Sequence, residues 1–195
     1  MKSLFIDTHD TEIVLALFNE GILKDKMIKV STRHHSDYTM PMLQELLEKN
    51  KLSVHDIHEI IVVNGPGSFT GVRLGVTIAK TLAYTLNIPI KTITSLEMYA
   101  ISHSSSNMKI PVIHDVKGVY AGLFSYDNKL EGELFYKSNQ EFQQYIEENH
   151  YEENIIESTI IDFQAIYNYI KNIEPTSAHQ VKPIYIKVIE ALKND

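Results

Sequence analysis

The chain has 195 residues, 44% of them hydrophobic, and a formal net charge of -7. A chain of this length buries roughly 70% of the surface that its unfolded form exposes and needs no staple. With no cysteine, it has neither disulfides nor thiolate metal sites, as suits a reducing cytosol. The charge is uneven, -1 over residues 1–100 and -6 over residues 101–195. No basic tract marks a nucleic-acid footprint, so RNA contact is expected only through a partner. The first apolar run, Leu4-Phe5-Ile6, stops at Asp7, too soon for a signal peptide. No stretch approaches the roughly 18 apolar residues of a membrane span. A soluble, cytoplasmic protein is expected.

In chain order, Leu4-Phe5-Ile6 predicts a buried strand that ends at Asp7-Thr8-His9-Asp10-Thr11. The run Glu12 to Phe18 predicts a second strand, Asn19-Glu20-Gly21 a turn, and Ile22 to Val30 a third strand, together an antiparallel meander. Ser36 and Asp37 offer caps for a helix over about residues 39–50, with Pro41 in its first turn. Ile57 to Val63 predicts a strand, Gly65-Pro66-Gly67 breaks it, and a long helix follows over 68–86. A short strand at Ile90 to Ile93 precedes a helix opened by Ser95, which dissolves in a polar stretch near His103. The expected subdomains are therefore residues 1–103 and 104–195.

The second half echoes the first. Pro111-Val112-Ile113 leads to Asp115, Val119 to Phe124 reads as a strand, and Leu130 to Tyr136 as a third. The recurrence of strand, aspartate, turn and strand suggests a duplicated unit. Beyond it, Phe142–Glu148 and Phe163–Ile170 read as helices, and Pro183-Ile184-Tyr185-Ile186 as a strand or helix entry.

The most specific feature is Gly65-Pro66-Gly67-Ser68-Phe69-Thr70-Gly71-Val72-Arg73-Leu74-Gly75. It meets neither the Walker spacing, since Val72 stands where lysine is needed, nor the dinucleotide fingerprint. An anion at the helix N-terminus is one reading, and a tight turn that uses glycine's backbone freedom is the preferred one. Within the helix, Gly71, Gly75, Ala79 and Ala83 form a column of small residues. Two glycines cost about 1 kcal/mol each against alanine, which tight packing of a neighbouring helix is expected to offset. That helix lies either within the chain or across an interface. The preceding helix supplies Met40, Met42, Leu43, Leu46 and Leu47, with adaptable methionines suited to a contact surface.

Ile6-Asp7-Thr8, Arg33-His34-His35-Ser36, the glycine motif and Thr94-Ser95-Leu96-Glu97 together resemble the TsaB (YeaZ) family over residues 1 to about 100. Asp115-Val116-Lys117-Gly118-Val119-Tyr120 departs from that family's Asp-Ala-Arg stretch, and Pro183-Ile184-Tyr185-Ile186-Lys187 is similar to its closing motif. The resemblance implies an α/β, actin/hexokinase-like (ASKHA) fold of two related subdomains, the second shortened. It also implies a non-catalytic activator or scaffold subunit that pairs with a TsaD-like catalytic paralogue, with a TsaE-like ATPase as third component. Their product is N6-threonylcarbamoyladenosine beside the anticodon of tRNAs that read ANN codons. Family members also homodimerise through a related surface. On this basis the partner interface is expected at Met42, Leu43, Leu46, Gly71, Val72, Gly75, Ala79 and Ala83. Gly65, Pro66, Gly67, Ser68, Phe69 and Thr70 form the motif turn.

A stand-alone ATP-dependent kinase or hydrolase of the ASKHA superfamily is the alternative. All eight glycines lie at or before Gly132, which leaves none for an adenosine loop, and no cofactor is expected. His55 and His58 lack the intervening glutamate of a metalloprotease motif, so no metal is expected. Gly67-Ser68-Phe69 lacks the nucleophile elbow, and Ser68 is better used as a helix cap.

Overall fold

The computed structural model describes residues 1–31, 34–157 and 159–187. They gather into two compact units, Met1–Ser95 with Asp162–Pro183, and Leu96–Ile161 with the segment from Ile184. The division differs from the expected boundary at residue 103. Residues 162–183 belong with the first unit, because their apolar side chains are buried there.

In the first unit, β1 (Lys2–Asp7), β2 (Glu12–Asn19) and β3 (Ile22–Val30) form the expected meander. Helix α1 (His35–Lys49) carries the chain to β4 (Glu59–Val63), and α2 (Phe69–Leu86) to β5 (Ile90–Ile93). Both of these strands run parallel in a sheet ordered β3-β2-β1-β4-β5. Strand side chains alternate between faces. Leu4, Ile6, Ile13, Leu15, Ile60 and Val62 join Leu43, Leu46, Val72 and Val76 of the two helices in the main core.

The opposite face receives α5 (Phe163–Ile170). The Phe5 ring meets Phe163 edge-on at 5.8 Å, and Phe18 meets Tyr167 at 4.8 Å. Beside them Glu59 lies 3.1 Å from the Lys91 ammonium and accepts from Ser3 Oγ at 2.9 Å. Lys91 also donates to the carbonyl of Lys171, just after the end of α5, at 3.1 Å. All three side chains are buried. Past α5, Thr176 bridges to Ile90 and covers the β5 edge. The other edge, β3, carries Lys24, Lys26 and Lys29 and a register shift opposite Leu17/Phe18, the usual guards of an unpaired strand.

The second unit opens with α3 (Ser95–Ser102) and contains β6 (Ile110–Asp115), β7 (Gly118–Ala121), β8 (Phe135–Ser138), α4 (Asn139–Asn149) and β9 (Ile155–Ile156). Its sheet, ordered β8-β7-β6-β9, repeats the first one's β3-β2-β1-β4: two antiparallel pairings, a helix, and a parallel return. The duplication inferred from Asp7 and Asp115 is thus present in the topology, and both aspartates end the first strand of their unit. Ile110, Val112, Val119 and Ala121 pack on Phe142 and Ile146 of α4. On the other face Phe124 packs on Leu96 and Ala100 of α3.

Several boundaries differ from the sequence reading. Helix α1 starts at His35, which places Pro41 in its second turn. The third strand of the second unit lies at Phe135–Ser138 rather than 130–136, since Gly132 turns with φ 88° and Leu130 makes only an isolated bridge to Phe124. Pro183 to Ile186 forms no regular element.

The Glu59–Lys91 pair yields a direct test. Removing one partner of a buried ion pair costs about 3–5 kcal/mol, because the other is left uncompensated. Glu59→Ala is expected to lose stability on that scale in chemical denaturation. The double variant Glu59→Leu, Lys91→Met is expected to lose much less.

Candidate functional site

Helix α2 and the turn before it form the centre of the site. Ser68 caps the helix: its hydroxyl accepts from Gly71 N at 3.2 Å, while its own N–H donates to the carbonyl of His9 at 2.7 Å. Gly65 has φ 103°, a conformation open to glycine and costly for other residues. The β1–β2 turn presses directly on the helix. A Cβ on Gly71 would lie 2.0 Å from the Thr8 carbonyl oxygen, and one on Gly75 2.5 Å from Thr8 Oγ1. Thr8 Oγ1 donates to the Gly71 carbonyl at 2.7 Å.

The small-residue column is therefore the seat of the chain's own β1–β2 turn. Met42, Leu43, Leu46, Gly71, Val72, Gly75, Ala79 and Ala83 are all buried in the fold of the first unit. As a surface for a partner these eight are corrected. The neighbour expected from the four-residue spacing is a helix, whereas at Gly71 and Gly75 the approaching backbone is that of the turn at Thr8. Of the motif turn, Gly65 and Pro66 are buried, while Ser68, Phe69 and Thr70 are exposed. Arg33 lies outside the described residues.

The two helices expose a different set. Met40 of α1 is 47% exposed. On α2, Leu74, Ile78 and Leu82 recur every four residues and are half-buried. Ile78 and Leu82 also touch the main core. Thr77, Thr81 and Thr85 are exposed beside them. The flanks differ in charge, since α1 exposes Asp37, Glu45 and Glu48 and α2 contains no carboxylate. The Arg73 guanidinium lies 3.7 Å over the Phe69 ring, and Lys80 donates to the Val181 carbonyl at 2.9 Å. In sequence, Val72, Leu74, Val76, Ile78, Leu82 and Leu86 spread over an arc of roughly 200° of this helix, wider than one sheet face covers.

The two repeated aspartates are engaged internally. Asp7 Oδ1 lies 2.7 Å from His9 Nδ1 and accepts from His9 N at 2.9 Å. Asp115 accepts from Lys187 Nζ at 2.6 Å, from Val116 N at 2.8 Å and from the Tyr136 hydroxyl at 3.3 Å. The hydrogen bond from Lys187 is the largest of the effects that hold the Asp115 carboxyl below its ordinary range. Among the described residues, no group of three or more histidines and carboxylates converges as a metal site. Among the described residues, no helix is long and apolar enough to cross a membrane.

Burial alone depresses the His9 imidazole, but the charge and hydrogen bond of Asp7, with Asp10, outweigh it and raise the pKa above 6.5. A raised folded-state pKa contributes stability that is full below the unfolded value and is lost as pH rises through the folded value. Thermal melting is thus expected to show a declining contribution between about pH 6.5 and the higher folded pKa. His9→Gln is expected to flatten that slope, and an unchanged slope would exclude the His9–Asp7 pair as its source.

A family model described as TsaD, tRNA N6-adenosine threonylcarbamoyltransferase, matches residues 27–136, more than half of the chain. The tRNA threonylcarbamoyladenosine biosynthesis protein TsaB of Bacillus subtilis (strain 168) is 39% identical over 132 residues, 67% of this chain and 58% of that protein. The TsaB of Escherichia coli (strain K12) is 35% identical over 96 residues, 49% of this chain and 41% of that protein. The matches thus span less than two thirds of these curated relatives. The fold is similar to that of YeaZ from Pseudomonas aeruginosa, with TM-score 0.77, 19% identity, and coverage of 94% of this chain and 100% of that one. A second Pseudomonas aeruginosa structure, described as an uncharacterized protein with similarity to peptidase YEAZ, gives TM-score 0.80 at 20% identity, over 95% and 99% of the two chains. Matched by that family model, in sequence by proteins named TsaB and in fold by YeaZ, the chain belongs to the TsaB (YeaZ) family.

Proposed function

We propose that the chain is a non-catalytic subunit that pairs with a TsaD-like catalytic paralogue, with a TsaE-like ATPase as third component. The complex forms N6-threonylcarbamoyladenosine beside the anticodon of tRNAs that read ANN codons. The pairing uses the outer faces of α1 and α2. The observation that carries this reading is the apolar stripe of Met40, Leu74, Ile78 and Leu82, left partly open on a helix pair whose inner faces are already filled. A partner with a similar helix pair would cover it, and a stable interface of this kind buries about 1,600 Å² in total. The acidic flank of α1 and the carboxylate-free α2 favour one orientation of such a pair. A homodimer through the same stripe would compete with the paralogue. The engaged state of Asp7 and Asp115 supports a subunit that leaves nucleotide chemistry to its partner.

The site geometry separates inner from outer substitutions. A charge placed in a desolvated contact costs several kcal/mol, and about 4 kcal/mol weakens binding almost a thousand-fold. Met40→Glu is expected to melt near the parent but to lose association with the paralogue in size-exclusion chromatography. Ala79→Glu is expected to unfold the chain. A folded Met40→Glu variant that binds the paralogue as the parent does would remove the stripe from the interface. For tRNA, the net charge of -7 leaves little counterion release to drive binding. The chain alone is expected to retain almost no tRNA in filter binding at physiological salt, and sub-micromolar retention would contradict a partner-delivered RNA.

A further inference from the structure

We propose that the outer edge of β3 takes up an acidic, extended segment of a partner protein as an added strand of the first sheet. An unpaired edge presents a row of backbone donors and acceptors, and among the described residues no strand pairs with the outer side of β3. Strand addition draws its affinity from main-chain hydrogen bonds and its specificity from the side chains beside them. One amide already docks on this edge. Gln164 of α5 donates through Nε2 to the Gly21 carbonyl at 2.9 Å, and its Oε1 accepts from Leu23 N at 3.4 Å. A side-chain amide thus pairs with the start of the edge as the backbone of another strand does. The stretch over residues 26–30 lies beyond that contact.

That stretch is both apolar and basic. Ile28 and Val30 are 46% and 66% exposed, and with Lys26 they lie on one face of the sheet, opposite Val14, Glu12 and Ala16. On the other face the Lys29 ammonium lies 3.9 Å over the half-exposed Tyr38 ring. Lys24 is exposed beside the register shift. The carboxylate of the strand, Asp25, is engaged by Lys49 and Asn50, each at 2.9 Å. Three lysines thus mark this edge in a chain whose net charge is -7. Their signs decide the occupant. A second copy paired edge to edge sets lysine against lysine, and like charges across a strand pair are destabilising. A segment with carboxylates between apolar residues meets Lys24, Lys26 and Lys29 with the first and Ile28 and Val30 with the second. An edge built only to repel other strands gains nothing from two exposed β-branched side chains. None of these residues belongs to the α1–α2 stripe, so the inference stands apart from the proposed pairing.

The probe is a short, end-blocked peptide of alternating glutamate and valine, with a lysine–valine peptide of equal length as its control. Binding to the full chain is titrated at low and physiological salt, and amide exchange is followed along the sequence. The acidic peptide is expected to slow exchange at residues 26–30. It is expected to bind about tenfold more tightly than the basic one, the scale of three exposed ion pairs, with a margin that narrows as salt rises. Lys24→Glu combined with Lys26→Glu changes exposed positions and is expected to melt near the parent while losing the preference for the acidic peptide. Equal affinity for the two peptides would overturn the proposal, as would no binding of either or slowed exchange confined to residues outside 26–30. Slowed exchange at 26–30 that appears without peptide and grows with protein concentration would assign the edge to a second copy instead.

Discussion

The seating of the β1–β2 turn in the glycine column of α2 is the contact on which the rest of the first unit depends. Gly71 and Gly75 admit the Thr8 backbone and hydroxyl at distances that no Cβ permits. That contact fixes the helix against the sheet, with Ile6 and Val62 on one side and Val72 and Val76 on the other. Two helical glycines cost about 2 kcal/mol against alanine, offset by dense packing and by the hydrogen bond from Thr8 to Gly71. The rotation of α2 about its axis follows from this seat. With the small residues turned inward, the column of Leu74, Ile78 and Leu82 is left half-open, and Met40 of α1 is exposed.

Much of this order was legible in the chain. The meander, the strand before the glycine motif and the helix after it follow from alternating and four-residue patterns bounded by strong turn signals. Ser68 as cap was also readable, because serine before a helix of this length has one main use. The direction of the small-residue column was not. A pattern of glycine and alanine states that something approaches closely, without stating what, and here the turn at Thr8, more than 60 residues earlier in the chain, fills the space at Gly71 and Gly75. The proposed partner face was visible only as an excess of apolar width on α2.

The C-terminal quarter was the least legible part. Phe163 to Ile170 reads as an amphipathic helix, but its docking on the first sheet depends on Phe5, Phe18, Glu59 and Lys91, residues about 70 to 160 positions away with no sequence signal for the pairing. Strand β9 has two residues, too few for any pattern. The repeated aspartates were recognisable as a repeat, yet their present engagements differ, with His9 of the same turn in one unit and with the distant Lys187 in the other.

Because the chain has no cysteine, single cysteines provide a clean footprint of the α1–α2 stripe. Met40→Cys and Thr77→Cys sample the outer faces of the two helices, and Asn168→Cys samples the exposed side of α5. Thiol labelling is followed for each variant alone and in complex with the TsaD-like paralogue. The expected result is strong protection at positions 40 and 77 and unchanged labelling at 168. A complex that forms while positions 40 and 77 label at the rate of the free chain would contradict the assignment of the helix pair as the partner surface.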